Sequence, residues 1–294
     1  ENAKARNGEE NHVNFFNAVL QAVDTLVQQN LGVFDGMGQN LFRAFATILV
    51  VWFGIKAALA ADEHRGGFHF ANFVSLILMI SFGFAMVNYY DTPIPGFGRD
   101  FHHLITDEAA ALSNQIGQAN AQRIADDTQY VLGNLEVPGI TQPIATFLYA
   151  LLWLGAVVTE ALALIVVAFG VVATALCILL GPVFIPFFIV PQFDWLFWGW
   201  LKAFIQYSFY QVVAAGVLFI VSQFTYGIIH AQITGLISAT DLIRISPVLV
   251  VTYLAAIYAI LKVPMLTSHI FSGTSGGSAT ALFEKIAVAL GAAV

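Results

Sequence analysis

Between two apolar runs, each longer than a core helix of a water-soluble domain, the chain passes from Gly181 through Pro182, Pro186 and Pro191 into Asp194 and the tryptophans Trp195, Trp198 and Trp200. A proline-broken backbone cannot face hydrocarbon, because each unpaired N–H or C=O there costs several kcal/mol. The turn is therefore shielded by protein or lies at headgroup depth, where tryptophan is favoured. This pattern predicts a membrane protein reversing direction. Pro182, Pro186, Asp194 and the three tryptophans are its candidate structural and assembly residues. The tryptophans read as interfacial anchors or as contacts to a partner, where aromatic side chains dominate the energy.

The rest of the chain points to the same class. Of 294 residues, 59% are hydrophobic and only 10% charged, with 26 phenylalanines and a mean hydropathy of +0.79. Water-soluble domains carry about a quarter charged residues. The formal charge of −7 and 11 basic residues disfavour tight nucleic-acid binding, which needs Lys and Arg to displace counterions from phosphate. At most a transient contact with nucleic acid is expected. One cysteine, Cys177, excludes an intrachain disulfide and a cysteine metal cluster. The chain begins at Glu1, so an upstream segment is expected.

The expected fold is all-α, a polytopic transmembrane protein of about five spans with amphipathic flanking helices. Residues 1–40 form an amphipathic segment whose stripe, Val13, Phe16, Leu20, Val23, Val27, Leu31 and Phe34, follows helical spacing. Gly36 and Gly38 are expected to end it. The stripe either lies on the bilayer or forms a seam for a neighbouring subunit, with Leu20 and Val27 as assembly candidates. Residues 41–90 hold two spans, the second closed by Tyr89 and Tyr90 of an aromatic belt. Residues 91–142 read as an acidic extramembrane loop of one or two amphipathic helices. Residues 143–264 form a long hairpin around the proline turn plus a last span. The run 143–180 would be about 55 Å as one helix, so it either overshoots the bilayer or folds in two. Residues 265–294 give a Gly/Ser linker and a short amphipathic tail. With an outside amino terminus, Lys56, Arg65, Lys202, Lys262 and Lys285 fall inside and Arg43, Arg99 and Arg244 outside, a slight positive-inside bias.

This order of parts resembles the TrbL-like polytopic inner-membrane channel component of bacterial type IV secretion and conjugation systems. The likeness rests on the Gly181 to Pro186 turn followed by Phe193, Asp194 and Trp198 to Leu201, on the central polar loop, and on Val263 and Pro264 before a Gly/Ser-rich tail. It implies a multi-pass protein of the bacterial inner membrane with a periplasmic central loop. It also implies a homo-oligomeric, pentameric ring that supports translocation of DNA or protein and pilus assembly. Pilus subunits, a bitopic scaffold, a cytoplasmic secretion ATPase and membrane lipids are the partners so implied. No nucleotide-binding glycine loop occurs in the sequence, so energy is expected from those partners.

No catalytic residue, cofactor or metal is expected. Glu160 is the single acid within an apolar run, and an intramembrane acid suggests a role by default. It is read as structural, bonded to a neighbouring helix, or as the coupling acid of a proton-coupled transporter or ion channel, the rival function. Asp100, His103 and Asp107 share a helix face at a spacing that could present metal ligands. The expected reading is a solvated acidic face.

Overall fold

The computed structural model describes residues 2–60, 70–139 and 142–271, with side chains left aside at 2–17, 19–20, 60 and 114–122. The expected turn at 62–67, the linker and tail at 272–294 and the side chain of Leu20 lie outside the described residues. Seven α-helices follow in order: α1 (Asn2–Ala60), α2 (Phe70–Asn88), α3 (His103–Asn134), α4 (Pro143–Phe184), α5 (Asp194–Gln232), α6 (Ala239–Leu261) and α7 (Val263–Ile270), with a 3₁₀ turn Ile185–Ile189 between α4 and α5. Among the described residues the one bridge of β type joins Leu135 and Ile237. Five helices are long and apolar enough to cross a membrane.

One expectation about helix limits changes, and one open alternative is decided. Gly36 and Gly38 do not break α1, which runs unbroken to Ala60, because the stripe on which Leu31 lies continues through Gly38 into Phe42, and these three are its buried members. A glycine costs a helix about 1 kcal/mol, less than the contact it permits here. The run from Pro143 is one helix of 42 residues, about 63 Å at 1.5 Å per residue. It starts on a proline, whose missing N–H would be unpaired in the first turn anyway.

By its contacts the chain divides into two units. The first holds 107–173 and 206–271. Here α3, read from sequence as an acidic loop, has no core of its own: Ile124 joins Ala163, Val166, Leu218 and Ala256, and Val131 and Leu135 join Leu152, Ile229 and Leu249. Ser113 Oγ donates to Gln211 O, Tyr130 Oη to Ile233 O at 2.8 Å, and Ile237 N to Asn134 O at 2.8 Å. The pairs rise together in number, so α3 and α5 run in the same direction over about 33 Å. Gly170 lets α4 meet α5, since a Cβ there would come within 2.7 Å of Tyr210 Cδ1. Ser238 caps α6, accepting Asp241 N–H at 3.3 Å and donating to the Asp241 carboxylate at 2.8 Å, which satisfies an end donor the helix leaves free.

The second unit holds 24–106 and 174–205. Its centre is aromatic. The rings of Phe45 and Phe187 stand 5.4 Å apart and those of Phe82 and Phe188 5.6 Å, within the range of favourable offset packing. At Gly83 a Cβ would meet Ile189 Cγ2 at 2.8 Å and Phe42 Cε2 at 2.9 Å. A small residue on α2 thus seats both α1 and the 3₁₀ turn.

Candidate functional site

Pro182 lies inside the last turn of α4, where its ring removes the N–H that would reach the carbonyl of Ile178. Tyr90 Oη donates to that carbonyl at 2.7 Å. Gly181 makes room: a Cβ there would collide with the Tyr90 hydroxyl. One turn earlier, Trp200 Nε1 donates to Cys177 O at 2.8 Å, and the Trp200 ring stacks on Phe204 at 5.5 Å. Pro186 then cannot return an N–H to Pro182 O, and α1 approaches that carbonyl so closely at Gly38 that no Cβ would fit. The end of α4 is therefore bonded by Tyr90, just beyond α2, and by Trp200 of α5, and is packed by the backbone of α1. The requirement that the turn be shielded is met by these groups.

This geometry corrects two readings from sequence. Tyr90 is 0% exposed and is no belt residue; burial, and next the nearby Cys177, Asp100 and Asp91, push its phenol well up, so it stays a proton donor. The tryptophans also divide. Trp195 is 64% exposed and suits an interface, whereas Trp200 is 6% exposed and internal. Trp198 lies between, its ring 5.1 Å from Phe197. Its Nε1 and Asp194 Oδ2, one turn apart, are both buried with no hydrogen-bond partner among the described residues. Leu31 buries the end of the amino-terminal stripe, and Val27 is half-buried.

Glu160 is half-buried on α4 and has an interaction partner within the chain. A second acid was not singled out from sequence. Asp127 of α3 is 5% exposed and receives Thr225 Oγ1 at 3.4 Å. His230 Nδ1 lies 4.0 Å from its other oxygen, with the imidazole stacked at 4.3 Å on Tyr130 and 4.0 Å from Tyr226. Burial pushes the Asp127 carboxyl up to about 6, against the pull of His230 and Thr225. Asp126-Asp127 looks like any acidic surface pair in the sequence; only the docking of α3 on α5 separates them.

Asp100 departs from the expected solvated face. It precedes α3 and caps it, accepting His103 N–H at 2.9 Å, and it is 8% exposed. Asp107 is not part of its cluster; His102 is. The loop that brings them together closes through Ile94 N to Arg99 O and Phe101 N to Tyr89 O, each 2.9 Å, with Gly96 and Gly98 at φ of 88° and 69°, values that favour glycine.

Compared with known proteins, the chain matches the sequence model of the family described as TrbL/VirB6 plasmid conjugal transfer protein over residues 46–263. That stretch takes in α2 to α6 and the whole proline turn. No curated protein matches the chain significantly.

Proposed function

Because the chain belongs to the TrbL/VirB6 plasmid conjugal transfer family, and so is a membrane component of a type IV secretion or conjugation apparatus, we propose that it works as a non-catalytic ring subunit of the inner membrane. In this reading identical copies enclose the path of a DNA or protein substrate. A pilus subunit, a bitopic scaffold and a cytoplasmic ATPase assemble around the ring, and the ATPase supplies the energy.

The observation that carries this reading is the surface of α1. Only 6% of the most apolar stretch of Gln21–Leu59 is buried in its own chain, against 50% for Pro143–Ile189. Leu26, Ile48, Val51, Trp52 and Leu59 are all exposed. Apolar area of this extent needs lipid or another subunit. Between helices already in lipid, close packing supplies the contact energy, because lipid tails are as apolar as leucine.

Deleting the coding sequence from a conjugative donor should abolish plasmid transfer, and supplying the chain in trans should restore it. Native mass measurement after gentle detergent extraction should give one multimer. Retained transfer in the deletion strain overturns the role in secretion, and a monomer extracted with its partners present overturns the ring.

A further inference from the structure

The connection between α2 and α3 holds two imidazoles and a carboxylate that a conduit does not require. Asp100, His102 and His103 each offer one ligand atom, and the three atoms lie within 4.8 Å of one another. Asp100 and His102 are 8% and 4% exposed, while His103 opens to solvent. His102 Nδ1 lies 2.7 Å from Tyr90 O, which can only accept, so that nitrogen carries the proton. His103 Nδ1 lies 2.6 Å from Asp100 Oδ2, and an ionised carboxylate likewise fixes the proton on Nδ1. Both Nδ1 atoms face the Asp100 carboxylate, that of His102 lying 3.3 Å from Oδ1. A cation that takes the place of the two Nδ1 protons, as binding to imidazole requires, would meet both nitrogen lone pairs and the carboxylate at one point.

We propose that Asp100, His102 and His103 bind a divalent first-row transition cation of the zinc type. Two imidazoles with one carboxylate suit zinc, copper, nickel or iron, whereas calcium and magnesium take oxygen ligands. Bonds of about 2.0 to 2.1 Å set tetrahedral ligands about 3.4 Å apart, close to the 3.3 Å between His102 Nδ1 and Asp100 Oδ1; the 2.6 Å pair of His103 Nδ1 and Asp100 Oδ2 would have to open by less than an ångström. His103, with its side chain 46% exposed, is the member free to move, and its open side leaves the fourth position to water. Capping of α3 accounts for the carboxylate of Asp100; it does not account for a second, buried imidazole beside it. The cation would tie the start of α3 to Tyr90, whose hydroxyl holds the kinked end of α4.

The test is calorimetric titration of zinc chloride into the chelator-stripped, untagged chain in detergent, with the visible spectrum of the cobalt form as a second readout. One ion per chain and a tetrahedral cobalt band are expected. Binding should weaken at least about tenfold in His103→Ala and in Asp100→Asn and stay unchanged in the double variant His64→Ala with His69→Ala. His103→Ala alters an exposed ring, so a folded protein is available to decide the matter. Absence of saturable binding, unchanged binding in His103→Ala, or binding that follows His64 and His69 overturns the site.

Discussion

Tyr90 and Pro182 are complementary across two helices: the proline withholds a hydrogen bond from the Ile178 carbonyl, and the tyrosine supplies one at 2.7 Å. A buried carbonyl left open costs about 1 to 3 kcal/mol. Tyr90→Phe should lower stability by about that amount. In a Pro182→Ala background the restored N–H can serve Ile178, and the same tyrosine change should cost much less. Thermal melts of the four proteins in detergent form the cycle. Strictly additive effects would show that Tyr90 is retained for packing alone.

The two glycines of α1 should behave as opposites. Gly36 has open space where a Cβ would stand, whereas Gly38 faces the backbone of Pro182, which cannot rotate away. Gly36→Ala is expected to be neutral or to stabilise by up to about 1 kcal/mol, the helix-propensity difference. Gly38→Ala should destabilise by about 1 to 3 kcal/mol through overpacking. Equal melting temperatures for the two variants would refute the close approach of α1 to the turn.

Much of this fold is legible in the sequence because membrane spans announce themselves by length and apolarity. Helix limits are less so. Gly36 and Gly38 look like breakers, since their cost is local, while the compensation for Gly38, its close approach to the Pro182 carbonyl, lies more than a hundred residues away in the chain. The aromatic residues mislead for a similar reason: Tyr90 and Trp200 have the composition of a membrane-interface belt, and only the carbonyls of Ile178 and Cys177 explain why they turn inward. Pro182 carried the signal that could have found Tyr90, because an interior proline frees the carbonyl four residues earlier and something must satisfy it; Trp200 had no such signal. Asp127 gave no signal at all beside Asp126; its burial follows from the docking of α3 on α5.

Asp127 makes that docking depend on pH. Its folded carboxyl sits at about 6 and the ordinary value is 3.8, so the folded form holds the proton more tightly than the unfolded form. The stabilisation is full below about pH 4, is lost as pH rises toward and through 6, and levels off above. The difference amounts to at most about 3 kcal/mol. Amide exchange of residues 123–134 should therefore quicken between about pH 4 and 6 beyond the intrinsic rate change, and Asp127→Asn, fixed in the neutral state, should remove that excess. An identical pH dependence in the asparagine variant would exclude Asp127 as its source.

Glu160 separates the conduit from a proton-coupled carrier. The side chain is half-buried and partnered, a situation an amide of the same size can reproduce. Glu160→Gln should retain at least about a third of wild-type plasmid transfer, a loss of under 1 kcal/mol in apparent assembly free energy. A coupling acid must exchange a proton, which glutamine cannot do. Transfer reduced to background at normal protein level and normal oligomeric mass would favour the carrier.

The stripe on α1 offers the most direct test of assembly. Leu31 and Phe42 are buried on the chain itself, whereas Val27 is only half-buried and keeps part of its surface for a neighbour. Aspartates at Leu20 and Val27 would have to lose water in a subunit contact but could stay hydrated on a helix lying at the bilayer surface. Leu20→Asp combined with Val27→Asp should give inserted monomers where the wild type gives a ring, read by native mass or by particle classes in electron micrographs. Trp195→Ala, which removes an exposed ring at the start of α5, should weaken the ring less, since an interfacial tryptophan also anchors to lipid. Trp200→Phe should instead melt the monomer earlier, because it removes the bond that Nε1 gives to the Cys177 carbonyl. Rings of unchanged mass in the double aspartate variant would show that the stripe rests on lipid and that the subunit contact lies elsewhere.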